Sequence, residues 1–326
     1  MKLLIVGDFK GNTGPASVNK GLKKVADNDT IFLEDNSILK RIIKLLIYTK
    51  KVAAVLFSGL SKINIIGFKI AKFYNKKSAY LMHGSKQYEN KVNGIKSNNG
   101  EVIEYKVLEY APKIIAVSKL FMNRLIESYP EYESKITYVN NGIDWNIKEE
   151  INIENNKNII LSVGGGVPQK NIKYVCKAIQ NIRRDTGRDI KFIVIGKSDF
   201  DTDEIKSYSF VEYLENISKD EMYKFYKKSS LYIQNSTFET FGLASIEALL
   251  HGCSLLISQY VGAKELLEPL AENDIIDNPY SIQEIERKLI YLLENSNNSR
   301  ILKNIDRDNT DLKSSYNKIK EIIKHD

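Results

Sequence analysis

YIQNSTFETFGLASIEALLHGCSLLISQYVGAKEL, residues Tyr232 to Leu266, is the stretch whose reading decides the fold. A short apolar strand at Leu231 to Ile233 runs into a polar turn that carries Glu239. Phe241, Gly242 and Leu243 then open a helix that contains Glu247 and stops near His251 and Gly252. A second strand, Leu255 to Ile257, follows at once and leads to Gly262, whose missing side chain suits a tight turn before a helix at Lys264. Strand, loop and helix, repeated, are the local pattern of a parallel sheet covered by helices, so the chain reads as α/β.

The two glutamates stand on either side of a helix start. Glu239 precedes the helix and should project from the crevice at the strand end, while Glu247 lies about a turn and a half further in. Between them, backbone N–H groups near Phe241 and Gly242 form a cradle for phosphate oxygens. A carboxylate on each side of an anion cradle suits a ligand with phosphates in the middle and hydroxyl-bearing rings at both ends, a nucleotide-sugar. Glutamates at a helix start are also ordinary dipole-favoured or solvated residues, and the residues alone leave both readings open.

A second glycine loop sits upstream. The strand from Asn158 to Val163 ends in Gly164, Gly165 and Gly166, three residues expected to expose their N–H groups to a diphosphate, and Lys170 returns a positive charge to the same mouth. A plain loop lysine is the competing reading.

The string Glu239-Thr-Phe-Gly-Leu-Ala-Ser-Ile-Glu247-Ala, with Gly252 beyond it and Gly262-Ala-Lys-Glu265 further on, resembles the donor-site signature of the retaining glycosyltransferases of family 4. That resemblance implies the GT-B fold: two Rossmann-like domains with parallel sheets facing an interdomain cleft, and a C-terminal helix crossing back. It also implies roles. Glu239 would hold sugar hydroxyls and Glu247 the ribose. Lys170 with the backbone of Gly164, Gly165, Phe241, Gly242 and Leu243 would meet the diphosphate, and the nucleobase would lie near Tyr213 and Leu214. The family commonly ends a strand of its first domain in His-Gly, which carries over to His83, and its first glycine loop, here Gly11 and Gly14, borders the cleft. One position departs from the pattern, because the family has an arginine where this chain has Gly165. A donor to the leaving group is therefore absent unless another cation replaces it.

Length and composition fit two such domains. The 326 residues support roughly two units of about 150 residues each. The expected boundaries are 1–147 for an acceptor-side domain, 148–157 for a linker, 158–300 for a nucleotide-sugar-binding domain and 301–326 for a terminal helical segment packing toward the first domain. No apolar run is long enough to cross a membrane, and Lys2-Leu-Leu-Ile-Val reads as a first buried strand rather than a leader. Cys176 and Cys253 read as buried thiols, consistent with a cytoplasmic protein.

Charge is unevenly shared. Met1 to Glu150 holds 24 Lys and Arg against 15 Asp and Glu, and the remainder holds 24 against 26. No acid occurs between Asp35 and Glu89, where the helices expected at Ile38 to Tyr48 and Ile63 to Phe73 combine apolar residues with lysines. Such a surface suits an anionic membrane interface, or else a solvated lysine-rich face. Nucleic-acid binding is not expected, since no stacking platform or reading helix accompanies the charge.

Other elements follow in order. Strands are expected at Leu3 to Val6, Ile31 to Leu33, Val52 to Phe57, Ala79 to Met82, Ile114 to Val117 and Lys135 to Val139, with a loop from Gly7 to Pro15 before a helix at Ala16. His83 should stand at a strand end, the place where parallel sheets bind ligands. Ser85 to Glu101 is polar and reads as a mobile loop, and Ser118 as a helix cap. Asp201-Thr202-Asp203 reads as a solvated acidic turn, with no obligatory metal or other cofactor. A single helix is expected from Leu302 to Lys324.

The activity that the resemblance implies is transfer of a sugar from a UDP-linked donor to a hydroxyl acceptor with retained configuration. A lipid-linked saccharide of the cell envelope or capsule is the expected acceptor, with the enzyme peripheral on the inner face of the plasma membrane. A protein-glycosylating transferase that needs a partner, or a non-catalytic nucleotide-sugar-binding accessory protein, is the alternative.

Overall fold

The computed structural model describes residues 1–35, 37–146, 156–215 and 217–325. It contains two six-stranded, wholly parallel sheets, each formed within one compact unit. The first unit comprises Met1–Trp145 with Arg307–Asp326, and the second Asn146–Asp306. The linker expected at 148–157 falls outside the described residues except for its last two, which open a strand.

In the first unit the strands are β1 (Leu3–Val6), β2 (Ile31–Leu33), β3 (Ala54–Ser58), β4 (Lys77–Met82), β5 (Ile114–Ala116) and β6 (Ile136–Tyr138), in the order β2-β1-β3-β4-β5-β6. Strands β1 and β3 are buried from end to end, as continuous runs of Leu, Ile, Val and Ala must be when helices cover both faces. The order reverses between β1 and β3, so the loops after these two strands diverge and leave a crevice at their carboxyl ends.

The second unit holds β7 (Asn156–Val163), β8 (Lys191–Ile195), β9 (Val211–Leu214), β10 (Ser229–Gln234), β11 (Ser254–Ser258) and β12 (Ile275–Ile276) in the order β12-β11-β10-β7-β8-β9. Its reversal lies between β7 and β10. Ile160, Phe192, Val194, Leu231, Ile233 and Leu256 from its strands pack against Val175, Ile179 and Ile182 of the helix Ile172–Thr186 and Leu289 of the helix Ile282–Glu294. Cys176 and Cys253 are both free and buried.

Four expectations are corrected. Residues 85–101 are a loop only at 93–98: Ser85 caps the helix Lys86–Val92 and Asn98 caps the helix Asn99–Tyr110. The buried Glu104 carboxylate holds the pair together, accepting from Ser85 Oγ at 2.7 Å, Lys86 N at 2.5 Å and Tyr129 OH at 2.6 Å. The terminal region is three helices, Asn298–Asn304, Arg307–Thr310 and Leu312–Lys324, because Ile305 turns into the core and Asp311 recaps the chain by accepting from Ser314 N at 2.6 Å. Asp201 is not a solvated acid: it is buried at the start of the helix Thr202–Lys206 and paired with Lys173 at 3.0 Å. Finally, Gly14 is not in a loop but begins the helix Gly14–Val25, whose N-cap is Thr13.

The last helix, Leu312–Lys324, returns to the first unit. Tyr316 is buried there with its hydroxyl 2.7 Å from Thr30 Oγ1, and Asp27 receives both Lys313 and Lys320. Among the described residues no helix is long and apolar enough to cross a membrane.

Candidate functional site

In the second unit the chemistry-bearing residues collect where the strand order reverses. The loop after β7 carries Gly164 to Lys170, and the loop after β10 carries Asn235 to Gly242. Thr237 N donates to Gln169 O at 2.8 Å, which laces the two loops together. Lys170 Nζ and Glu239 Oε2 form a tight ion pair across them, and both side chains are largely buried. Gln234 Nε2, at the end of β10, donates to the same carboxylate oxygen at 2.8 Å.

The glycines serve a purpose other than the expected one. Gly164 N and Gly165 N both donate to Ile195 O, at 2.8 and 3.2 Å, and Gly166 N donates to Lys197 O at 3.1 Å. Those amides are used within the fold, which corrects the expectation that they stand exposed for a diphosphate. A Cβ on Gly164 would sit 2.5 Å from Lys170 Cγ, so this glycine makes the groove through which the lysine stem runs. At Gly165 the φ of +61° and a Cβ position 2.1 Å from Lys197 O close the site to any side chain, arginine included. The departure from the family pattern therefore has a local cause: the loop after β8 occupies the space.

The loop after β10 is fixed from its other side by β11. Glu239 N donates to Tyr260 O at 3.0 Å, Gly262 N to Glu239 O at 3.0 Å and Ala263 N to Phe241 O at 2.7 Å. Phe241 is buried, and Gly242 at φ +99° starts the helix Leu243–Leu250. Ser245 N donates back to Gly242 O at 3.0 Å, which leaves the amides of Leu243 and Ala244 at the helix start to favour an anion. Glu247, one turn into the helix, receives Tyr226 OH at 3.3 Å. Tyr232 is buried with Glu239 and Glu247 as its charged neighbours, and burial pushes its hydroxyl pKa well up. Gln234 Oε1 and Ser236 Oγ are buried and have no hydrogen-bond partner among the described residues. Lys170, Glu239, Gly242 and Glu247 thus form one neighbourhood. Tyr213 and Leu214 lie on the edge strand β9 and reach it through the loop after β8, where Tyr213 OH donates to Lys197 O at 2.8 Å and Gly196 N to Leu214 O at 2.9 Å.

The first unit has its own constellation at the β1/β3 reversal. His83, just past β4, lies with Nε2 2.8 Å from Ser58 Oγ at the end of β3, and Ser58 contacts Asn19 Oδ1 at 2.5 Å. Burial alone pulls the imidazole pKa down to about 4. Gly11 N and Lys10 N donate to Asp8 Oδ1, each at 2.9 Å, forming a closed turn after β1. These bonds hold the Asp8 carboxyl below its ordinary pKa. A Cβ added at Gly14 would meet nothing within 4 Å, so the position does not require glycine on grounds of space.

Residues 143–308, half of the chain, match the family model described as glycosyl transferases group 1. The chain belongs to this family. Two uncharacterized glycosyltransferases of Methanocaldococcus jannaschii are similar to this group 1 member: MJ1607 is 25% identical over 197 residues, covering 54% of this chain and 50% of the relative. MJ1178 is 26% identical over 189 residues, covering 56% and 50%. The chain therefore spans about half the length of the curated relatives it matches. Among solved structures, Anabaena HepE in complex with UDP and glucose superposes with a TM-score of 0.69 at 15% identity, over 99% of each chain. The trehalose-6-phosphate synthase OtsA gives 0.73 at 11% identity over 100% and 99%. At such identities the likeness establishes the fold, which is the two-domain GT-B type.

Sequence reasoning missed several residues of this group 1 chain. Tyr232 reads as strand and Gln234 as the residue just past it; period-two alternation puts them on the same face of β10, and only the packing shows both near Glu239. Tyr226 is separated from Glu247 by a helix end and a strand. Asn19 was visible as a polar residue in an apolar helix stripe, and Ser58 as the serine ending a buried strand before a glycine. Among the described residues no group of three or more His, Cys, Asp and Glu gathers in the manner of a metal site.

Proposed function

We propose that this chain is a retaining glycosyltransferase of the family 4 type, moving a sugar from a UDP-linked donor to a hydroxyl acceptor. The observation that carries the reading is the Lys170–Glu239 pair at the β7/β10 reversal, beside the start of the helix Leu243–Leu250. A nucleoside diphosphate sugar bound there would place its diphosphate at Lys170 and the helix start, its sugar hydroxyls at Glu239 and its ribose at Glu247. Lys170 and the helix dipole then stabilise negative charge as the C1–oxygen bond to the diphosphate breaks, where stabilisation lowers the barrier. Gln234 Oε1 and Ser236 Oγ, buried without partners, add polar atoms suited to a hydroxyl-rich ligand. The UDP and glucose held by HepE support a UDP-linked donor here. His83 in the first unit is proposed to orient the transferred sugar. Incubating the chain with a panel of labelled nucleotide-sugars and envelope lipid extract tests this reading; failure of every donor to yield a labelled product would overturn it.

A lipid-linked acceptor and a peripheral position at an anionic membrane are supported by the helix Ile38–Lys51. Of its side chains only Leu45 and Thr49 are buried, while Ile38 is 71% and Leu39 68% exposed beside Lys40, and Lys50 and Lys51 close its other end. On the helix Lys62–Phe73, Phe73 is 81% exposed as well. Sedimentation with anionic vesicles at low and high salt should show salt-sensitive binding, and its absence counts against this part. The second reading, a nucleotide-sugar-binding accessory protein, is favoured by the closed Gly165 position, which leaves the loop without an arginine. Binding without turnover that is also indifferent to Glu239→Ala would select it.

A further inference from the structure

Asn19, Ser58 and His83 come from a helix, a strand end and a loop, yet they meet because β1, β3 and β4 are neighbours in the sheet. Asn19 and Ser58 are both buried. Asn19 Nδ2 donates to the Asp8 main-chain carbonyl at 2.9 Å. A carbonyl oxygen only accepts, so this contact fixes the amide with Oδ1 turned toward Ser58. Ser58 Oγ gives its single proton to that oxygen at 2.5 Å. His83 Nε2, 2.8 Å from Ser58 Oγ, therefore faces a hydroxyl with no proton left to give, and the contact is a hydrogen bond only when Nε2 is the donor.

We propose that Asn19 and Ser58 are positioning residues that hold His83 as the neutral Nε2–H tautomer, through a one-way relay that ends on the Asp8 carbonyl. This rests on the reading of His83 as the residue that orients the transferred sugar, and deepens it. Reversing the relay requires the Asn19 amide to turn over, which sets Oδ1 against the Asp8 carbonyl and replaces that hydrogen bond with a contact between two acceptors. Gly7 belongs to the same device, since a Cβ there would lie 2.7 Å from Asn19 Nδ2. The relay fixes the proton on Nε2, and a ring that stays neutral then has Nδ1 as its acceptor atom and brings no positive charge to a sugar whose anomeric carbon becomes positive as the leaving group departs. The low basicity that burial imposes on His83 acts in the same direction.

The test is a ring-nitrogen spectrum of the full chain labelled with 15N-histidine. There are three histidines in the sequence, and His83→Gln assigns the signals of His83. At pH 7 the wild type should show a protonated Nε2 and a bare Nδ1. Asn19→Ala releases the Ser58 proton toward Nε2, so the Nδ1–H form should become at least as abundant. Ser58→Thr, which keeps the hydroxyl, should retain the wild-type tautomer. In the transfer assay Asn19→Ala should lower kcat roughly tenfold while leaving the donor KM within about twofold. A wild-type spectrum showing Nδ1–H, mixed tautomers or imidazolium overturns the proposal, as does a folded Asn19→Ala chain with an unchanged tautomer. The spectrum needs no turnover: an Nε2–H ring in a chain that transfers no sugar overturns the functional reading alone, and turnover with another tautomer overturns the relay alone.

Discussion

At Lys170 a single ammonium group is held by a carboxylate and by a glycine groove that its own stem fills. Replacing it with alanine should lower kcat about a hundredfold or more, because a pre-positioned charge at the leaving group is lost. Steady-state kinetics with the best donor would show this, and a loss confined to KM would point to ground-state binding alone. Gly165 provides a stability test. With φ at +61° and the Lys197 carbonyl in the Cβ position, Gly165→Ala should cost about 3 kcal/mol in urea unfolding. Gly165→Arg should be no better, and should not raise turnover. His83 gives a signed pH dependence. Its folded pKa, near 4, lies below the ordinary histidine value of 6.5, so the neutral ring stabilises the fold fully above about pH 6.5. That contribution fades as pH falls toward 4. The stability gap between wild type and His83→Gln should accordingly narrow across this window in unfolding measurements.

At the scale of elements, two helices owe their place to one or two polar side chains each. Glu104 accepts hydrogen bonds that start the helix Lys86–Val92 and fix Tyr129, and burial raises its pKa against the effect of those donors. Glu104→Ala leaves buried donors without an acceptor and should cost about 3 kcal/mol. Hydrogen exchange should then rise across residues 85–110 before the rest of the first unit. The helix Leu312–Lys324 is held by the buried Tyr316 and by Asp27, whose pKa is lowered to about 2 by hydrogen bonds from Lys313 and Lys320. Since that folded value is below the ordinary 3.8, the contribution of Asp27 is present above about pH 3.8 and disappears as pH falls toward 2. Asp27→Asn should flatten the acid limb of the stability curve over that interval. Tyr316→Ala should cost about 3–4 kcal/mol, read from the urea midpoint.

Over the whole molecule, what was legible followed from how far apart in the chain the cause lies. Apolar runs marked most strands, and glycine closes several of them, as Gly7, Gly59, Gly164 and Gly196 do, because burial on both faces is written in the run itself. Glu239, Gly242 and Glu247 were legible because one loop and one helix carry all three. The helices within 85–110 were not, since their support is Glu104, a residue whose burial depends on Tyr129 packing from another element. The same holds for the amides of Gly164, Gly165 and Gly166: a glycine run looks open in sequence, and only the neighbouring strand shows its N–H groups already used. Asn19 and Ser58 became a relay only when the order β1-β3-β4 set the helix after β1 beside the ends of β3 and β4. The central claim is that a nucleoside diphosphate sugar is held at the β7/β10 reversal, and a crystal structure of the chain grown with saturating UDP tests it most directly. The account predicts a diphosphate within hydrogen-bonding distance of Lys170 Nζ and the first turn of the helix Leu243–Leu250, with the ribose hydroxyls on Glu247. UDP bound elsewhere, or crystals that exclude it while the Lys170–Glu239 pair stays closed, would contradict it.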